Sequence, residues 1–419
     1  MIYSVIFKVI EKISPFLIVT PTVESFGNCA EEMQYALIRA SNEGKKAIFI
    51  FPLDVFFFCR FSKNSLGVNR SLIDINSNFL FKPNPFFTYP LRLLISIEYC
   101  IYRMFNKLRK NKQIATNPRY GINEIYNTGN ENIYSTENLL SKSWNLALVH
   151  DIGVHLSDIV ARKALQSKQD LGIPDNVWFV CVHVRDGGYY GNSEGIQKES
   201  RNSDILNYYK AFKTITQYGG WVVRIGDSSM KEMPNMDHVI DYAHSKEKSD
   251  LLDVYLIQEC AFYVGTPSGP LTVANLYGRP ILLTNMYEHF IDYPMRSGDL
   301  GIMKKFFSKS RARNLSLTEQ LRIQDQSDQL IYKSDDIVLV ENDENEIEDL
   351  VSEFIKRGKS KQTIQQKDWE NARVNTGLKY FDRLSKKQST SVSQVYRFSS
   401  RLISYKGSLS NNFTNDHYE

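Results

Sequence analysis

Two side chains that can hold an anion, His183 and Arg185, stand directly after an apolar run, Trp178-Phe179-Val180-Cys181-Val182. A guanidinium presents a rigid fork of N–H donors, and an imidazole beside it can donate or accept, so the pair suits a phosphate. Gly265-Thr266-Pro267-Ser268-Gly269 supplies two hydroxyls and a glycine where a helix is expected to begin. Backbone N–H groups and the dipole of a helix N-terminus favour negative charge at such a place. Asp227 and Ser228 lie in the loop Gly226-Asp227-Ser228-Ser229, and Asp250 follows Ser249. Glu194 and Glu199 lie on the Gly/Tyr-rich loop after Arg185, which ends on Arg201 and Asn202. A carboxylate so placed could take a proton as a general base.

Each of these residues also has a plain structural reading. His183 could be a satisfied core histidine, Asp250 a helix cap, Arg224 an ion pair within its strand, and the two glutamates solvated loop residues.

The elements that must position these groups follow from the pattern of apolar residues. Residues 178–184 read as a strand buried on both faces, because apolar and β-branched residues run without alternation. A helix is expected from about Asp204, carrying Ile205, Tyr208, Tyr209, Phe212 and Ile215 and ended by Gly219-Gly220. Strands are expected at Trp221–Ile225, Val239–Tyr242, Ala261–Val264 and Pro280–Thr284, with a helix over Ser249–Gln258. Strands alternating with helices predict a parallel sheet, and ligands in such sheets bind beyond the strand carboxyl ends. The polar and glycine-rich loops fall at that edge.

Upstream, Phe16–Thr20 and Lys46–Phe51 read as strands joined by a helix over Cys29–Glu43, stopped by Gly44. Gly27 could face a substrate or merely turn the chain. Leu91–Leu108 is apolar and aromatic but interrupted by Arg92, Glu98 and Arg103, and it runs into Lys107, Arg109, Lys110 and Lys112. Two readings stay open: a core helix with a basic end that its dipole favours, or a helix lying in a membrane interface. A helix is also read from about Trp144 to Ser167. Glu344–Arg357 reads as an amphipathic helix and Trp369–Leu384 as another, with the last dozen residues disordered.

A chain of 419 residues exceeds one ordinary core, so about two domains of roughly 150–200 residues are expected. The composition, 42% hydrophobic and 23% charged, is that of a globular protein. A net charge of +4 is mild and does not suggest a nucleic-acid binder, which needs a concentrated basic face. The five cysteines are odd in number and form no CxxC pair, which points to buried thiols in a reducing cytoplasm rather than to disulfides or a zinc site. The first residues are interrupted by Lys8, Glu11 and Lys12, so neither a signal peptide nor a membrane span is expected. There is no N-terminal GxGxxG fingerprint.

In order along the chain, His183-Val184-Arg185, Gly226-Asp227-Ser228, Ser249-Asp250-Leu251 and Gly265–Gly269 resemble the donor half of the fucosyltransferase-like GT-B glycosyltransferases. That group includes α1,6-, nodulation and protein O-fucosyltransferases. Over most of residues 178–285 the motifs HVRDGGYY, RNSDI, GGWVVRIGDSSM, VIDYAHS, KSDLLDV and GTPSG are also similar to a bacterial glycosyltransferase family of surface-polysaccharide gene clusters. This chain has Asp186 where the fucosyltransferases commonly have a second arginine. The resemblance implies an α/β chain of GT-B architecture, with two Rossmann-like domains facing across a cleft and C-terminal helices. The expected divisions are an acceptor domain at 1–172, a nucleotide-sugar-binding domain at 173–330, and terminal helices with a flexible tail at 331–419.

The resemblance implies that Arg185 contacts the β-phosphate of the donor and that His183 orients the site. Thr266, Ser268 and Gly269 would cradle phosphate, while Asp227, Ser228 and Asp250 would contact the nucleoside or hold neighbouring loops. Arg201 and Asn202 would belong to the same donor site, with Arg185 and Glu194 catalytic. The partners implied are a nucleotide-sugar and a glycan or lipid-linked glycan, in cell-surface polysaccharide or lipopolysaccharide biosynthesis. No DxD motif is present to hold a divalent ion, so inverting transfer without metal or cofactor is expected, at the cytoplasmic side of the inner membrane. The competing readings are a non-catalytic nucleotide- or glycan-binding protein on the same fold, and another phosphate-handling α/β enzyme such as an epimerase.

Overall fold

The structure is a computed structural model; it describes residues 9, 12–23, 25–53, 69–108, 152–187, 200–330, 334–357, 362–387 and 392–418. The first half begins with a parallel β-α-β unit. β1 (Phe16–Val19) and β2 (Lys46–Phe49) pair from Phe16 opposite Lys46 to Val19 opposite Phe49, and α1 (Phe26–Asn42) connects them. Ser25 caps α1 by accepting the Asn28 N–H, and Gly44 at φ +62° takes the left-handed conformation that lets the chain turn back. The apolar stripe Ala30, Met33, Leu37 and Ala40 is buried as its spacing requires, but so are Glu31, Glu32 and Gln34. Glu32 accepts the Thr22 N–H at 2.6 Å, closing the β1–α1 loop.

After a helical turn at Arg70–Ile73, β3 (Ile75–Asn76) pairs antiparallel with β4 (His155–Leu156). Between them runs α2 (Pro85–Leu108), with Pro90 inside it, and after them α3 (Asp158–Asp170). The helix read over Trp144–Ser167 is therefore interrupted: of its described part, Gly153 has φ +62°, and the Leu156 N–H is given to Gln258 Oε1 at 2.7 Å. Residues 109–150 lie outside the described segments. Cys29, Cys181 and Cys260 are free and buried, whereas Cys100 on α2 is disulfide-bonded, which corrects the expectation of thiols alone.

The second half runs β5 (Phe179–His183), α4 (Tyr209–Gln217), β6 (Trp221–Arg224), β7 (Val239–Ile240), α5 (Asp250–Glu259), β8 (Phe262–Gly265), α6 (Gly269–Leu276), β9 (Ile281–Met286) and β10 (Leu300–Met303). Then follow β11 (Lys305–Ser308), β12 (Arg313–Leu315), α7 (Leu317–Asp325) and β13 (Ile337–Val340). The chain closes with α8 (Glu344–Arg357), α9 (Ile364–Ser385), α10 (Val392–Ser404), β14 (Ser408–Leu409) and α11 (Asn411–His417). A seven-stranded sheet in the order β14-β10-β9-β8-β5-β6-β7 is parallel at every pairing. β5, β8 and β9 are buried along their whole length, the condition of a sheet covered on both faces. The chain is thus α/β, with parallel strands in both halves and helices at its C-terminal end; among the described residues the first half shows the smaller share of sheet.

The strand order carries the main consequence for a ligand. From β5 the chain steps outward to β6 and β7, then crosses back to lay β8 on the other side of β5 and continues to β9 and β10. The direction of winding reverses between β5 and β8. Open parallel sheets form a crevice at the carboxyl ends of such neighbours.

Sequence reading missed β10 to β13, where β11, β12 and β13 form a separate antiparallel sheet. The expected disorder of the last dozen residues is also corrected. Ser408 pairs with Leu300 at the edge of the large sheet, and α11 buries Phe413 and Thr414. α10 returns to the first half, where Arg401 forms an ion pair with Glu31 and donates from Nε to Tyr35 Oη at 2.6 Å.

Candidate functional site

At the carboxyl ends of β5 and β8 the two strands are tied by three hydrogen bonds. The Thr266 N–H donates to the His183 carbonyl at 3.2 Å, and the Arg185 N–H donates to Thr266 Oγ1 at 3.1 Å. Ser268 Oγ lies 2.9 Å from His183 Nδ1 and 3.0 Å from the Thr266 carbonyl. A hydroxyl has one proton. If Ser268 gives it to the carbonyl, Nδ1 must carry its own proton and donate it to Ser268, which leaves Nε2 as the imidazole lone pair.

This arrangement has a cost at the next helix. Ser268 is the residue before α6, but its side chain caps no N–H there, being spent on His183. α6 therefore starts with its positive end uncapped by that side chain. The start of α1 meets it directly. A Cβ on Gly27 would stand 2.5 Å from Gly269 Cα, and Thr272 Oγ1 donates to the Gly27 carbonyl at 2.7 Å. Two helix N-termini thus converge on the crevice, and glycine is required because a side chain on Gly27 would collide with backbone. Gly27 is neither a loose turn nor a loop; it is the second residue of α1, pressed on Gly269 of the other half.

Charges of both signs surround His183. Burial holds the His183 imidazole down to about 4, with Arg224, Arg185 and Lys248 adding to the effect and Asp227 opposing it. His183 is neutral at pH 7 and can orient or accept without adding charge. Arg185 is buried, 9% exposed. Arg224 is buried too, but it is paired with Asp241 at 3.2 Å and donates to the Lys231 carbonyl, so its structural reading holds. Asp186 accepts the Lys231 N–H at 2.9 Å, fastening the strand end to the β6–β7 loop.

The remaining residues distribute around this centre. Asp227, in the loop after β6, accepts the Ser229 N–H at 2.9 Å, and Ser228 beside it is exposed. Asp250, at the start of α5, accepts the Arg70 N–H on Oδ2 at 3.2 Å, and its carbonyl accepts from Asn69 Nδ2 at 2.6 Å. It holds a neighbouring segment of the first half, while Ser249 does the capping by accepting the Leu252 N–H. Arg201 stands among Asp292, Tyr287 and Glu288, whose charges and hydroxyl raise its proton affinity. The Asn202 carbonyl accepts from Lys304 Nζ at 2.8 Å. These two sit on the β9–β10 side of the edge. Glu194 and Glu199 lie outside the described residues.

A second polar group on that side was not read from the sequence. Asn285, at φ +55°, and Asn342 exchange hydrogen bonds through their side-chain oxygens and backbone N–H groups at 2.7 and 2.9 Å. Glu341 Oε2 accepts from Ser203 Oγ, the Asp204 N–H and Asn207 Nδ2 at 2.9, 2.9 and 3.3 Å. The one available signal was Thr284-Asn285 closing the apolar run Ile281-Leu282-Leu283. Among the described residues, no group of three or more His, Cys, Asp or Glu is placed to hold a metal ion.

No family model matches the chain, and no curated protein matches it. Solved structures similar to it at low identity include three glycosyltransferases. The glycosyl transferase family 9 from Veillonella parvula DSM 2008 is 8% identical over 69% of this chain and 85% of that one, with a TM-score of 0.35. The E. coli ADP-heptose lps heptosyltransferase II is 12% identical over 69% and 90%, also with a TM-score of 0.35. NodZ α-1,6-fucosyltransferase, co-crystallised with GDP, is 14% identical over 62% and 91%, with a TM-score of 0.27.

Proposed function

We propose that the chain is a glycosyltransferase of GT-B type that binds the diphosphate of a nucleotide-sugar at the carboxyl ends of β5 and β8. The observation that carries this reading is the place of the cluster. His183, Arg185, Thr266, Ser268 and the uncapped start of α6 meet at the one point where the sheet reverses its winding.

In the reaction, the bond from the anomeric carbon to the diphosphate breaks while an acceptor hydroxyl attacks the opposite face, inverting the centre. Arg185 and the N-terminus of α6 take up the charge that grows on the leaving diphosphate. Such stabilisation counts toward rate because it strengthens as the bond breaks. Neutral His183 orients the site without competing for the anion. The acceptor hydroxyl's proton passes to a base, for which Glu194 is the candidate. These cationic groups perform the neutralisation that a divalent ion would otherwise supply, and the acceptor is a glycan or lipid-linked glycan of a surface polysaccharide.

The test is nucleotide release from ADP-, GDP-, UDP- and CMP-sugars, with and without acceptor glycans. Turnover with one of them should fall on the order of 100-fold or more in Arg185→Ala, the size seen when one charge-stabilising donor is removed. An Arg185→Ala protein that turns over like the parent would remove the proposal. Nucleotide binding without acceptor-dependent release would favour a binding protein on this fold.

A further inference from the structure

Beneath the crevice, Tyr263 on β8 carries a buried hydroxyl. In the parallel register Tyr263 stands opposite Cys181 and Gly265 opposite His183, so the side chains of Tyr263 and His183 leave the sheet on one face. Gly265 keeps the space beside them open: a Cβ there would stand 2.3 Å from the His183 carbonyl and 3.1 Å from Tyr263 Oη. Tyr263 is fully buried, and its hydroxyl has no close hydrogen-bond partner in this conformation. Ser268 is the side chain within hydrogen-bonding reach of it.

The protons of this group can be counted. The Thr266 carbonyl has none, so its 3.0 Å contact with Ser268 Oγ is bridged by the serine proton. A buried hydroxyl proton without an acceptor is costly, so Tyr263 turns its O–H on Ser268 Oγ. Ser268 then has one lone pair left, and His183 Nδ1 at 2.9 Å fills it as a donor. Burial keeps the ring neutral at pH 7, so its single proton is the one on Nδ1. Nε2 is left as an acceptor. It makes no hydrogen bond among the described residues and is not one of the buried atoms left without a partner, so it keeps contact with solvent in the crevice.

We infer that Tyr263 is a positioning residue: through Ser268 it holds His183 with Nδ1 protonated, so that Nε2 accepts a hydroxyl of the bound nucleotide-sugar instead of meeting phosphate. The diphosphate of a nucleotide-sugar carries no proton at pH 7, and a lone pair aimed at it would repel it. The diphosphate is left to Arg185 and the start of α6, while His183 reads a hydroxyl of the sugar or the ribose beside it. The identity of the ligand rests on the proposed donor site; the tautomer does not.

The test begins with nitrogen NMR of the full chain carrying isotope-labelled histidine. The ring nitrogens of His183, assigned by their loss in His183→Gln, should show Nδ1 protonated and Nε2 bare at pH 7, and Tyr263→Phe should show a mixture of both tautomers. Calorimetric titration of Tyr263→Phe should then give a nucleotide-sugar affinity roughly three- to tenfold below the parent's, the worth of one neutral hydrogen bond, with inorganic pyrophosphate unchanged. An equal fall for the nucleoside diphosphate would place the hydroxyl on the ribose, and an unchanged affinity would place it on the sugar. Three results would overturn the inference: Nε2 protonated in the parent, a tautomer that Tyr263→Phe leaves as it was, or a pyrophosphate affinity that falls as far as that of the nucleotide-sugar. A parent that binds no nucleotide would sink the donor site and not the tautomer, because the spectrum is read on the unliganded protein.

Discussion

The carboxyl edge of the large sheet has two parts that spend their polar groups differently. On the β9–β10 side they satisfy one another: Asn285 and Asn342 bond reciprocally, Glu341 collects three donors, and Lys304 is held by the Asn202 carbonyl. On the β5–β8 side Ser268 is drawn away from its helix to His183, two helix N-termini converge, and Arg185 is buried near a neutral imidazole. Polar residues are present on both sides. The difference lies in where they sit: one network ties distant segments together and specifies structure, while the other gathers at two helix N-termini, where backbone N–H groups can receive an anion.

Substitutions that break each part should therefore have different consequences. Gly27→Ala, which forces backbone against Gly269, should cost up to about 3 kcal/mol in denaturant unfolding, the upper range for overpacking. It should weaken nucleotide binding as well, because it displaces the start of α6. A pH series separates the parts next. With the folded pKa of His183 depressed to about 4 from 6.5, the unfolded chain binds the extra proton between those values. Stability should be fully present above about pH 6.5 and should fall as pH drops toward 4. His289, depressed to about 3 by burial, acts in the same direction, while Asp299, raised to about 6 by burial, gives the opposite slope between 3.8 and 6. The difference between the parent and His183→Gln isolates the first contribution, at most about 3 kcal/mol. A flat difference across that window would mean that His183 is not buried as described.

Glu341→Ala should cost about 2 kcal/mol by leaving Ser203, the Asp204 N–H and Asn207 short of an acceptor, with nucleotide affinity nearly unchanged. Affinity lost in parallel with stability would erase the distinction between the two sides. Ser268→Ala should cost about 1–2 kcal/mol of stability, because its two neutral hydrogen bonds, to His183 and to the Thr266 carbonyl, are lost and no helix cap is. Its nucleotide affinity should fall several-fold, since His183 loses the partner that fixes its ring.

The contrast between the two sides was only half legible in the sequence. The unbroken apolar run before His183 and the glycine-rich turn after Val264 mark two strand ends by local pattern alone, and both lie where expected. The β9–β10 side depends on pairs far apart in the chain, such as Asn285 with Asn342, and no local pattern marks them. The same limit explains the errors. Ile152 and Leu156 fall at helical spacing, but Leu156 gives its N–H to Gln258, a hundred residues on. Ser408-Leu409 is too short to read as a strand and becomes one only beside Leu300. The neighbours of Arg201 and Asn202, which include Asp292, Tyr287, Glu288 and Lys304, are likewise a hundred residues or so away in the chain.

The central claim is that the β5–β8 side holds a diphosphate. Calorimetric titration of ADP, GDP and UDP into the parent and into Arg185→Ala tests it most directly. The account predicts that at least one nucleoside diphosphate binds the parent and that its affinity falls roughly 10- to 100-fold in the variant, the worth of one charge-assisted contact, at unchanged melting temperature. No binding by any of the three, or equal affinity in both proteins, would contradict it.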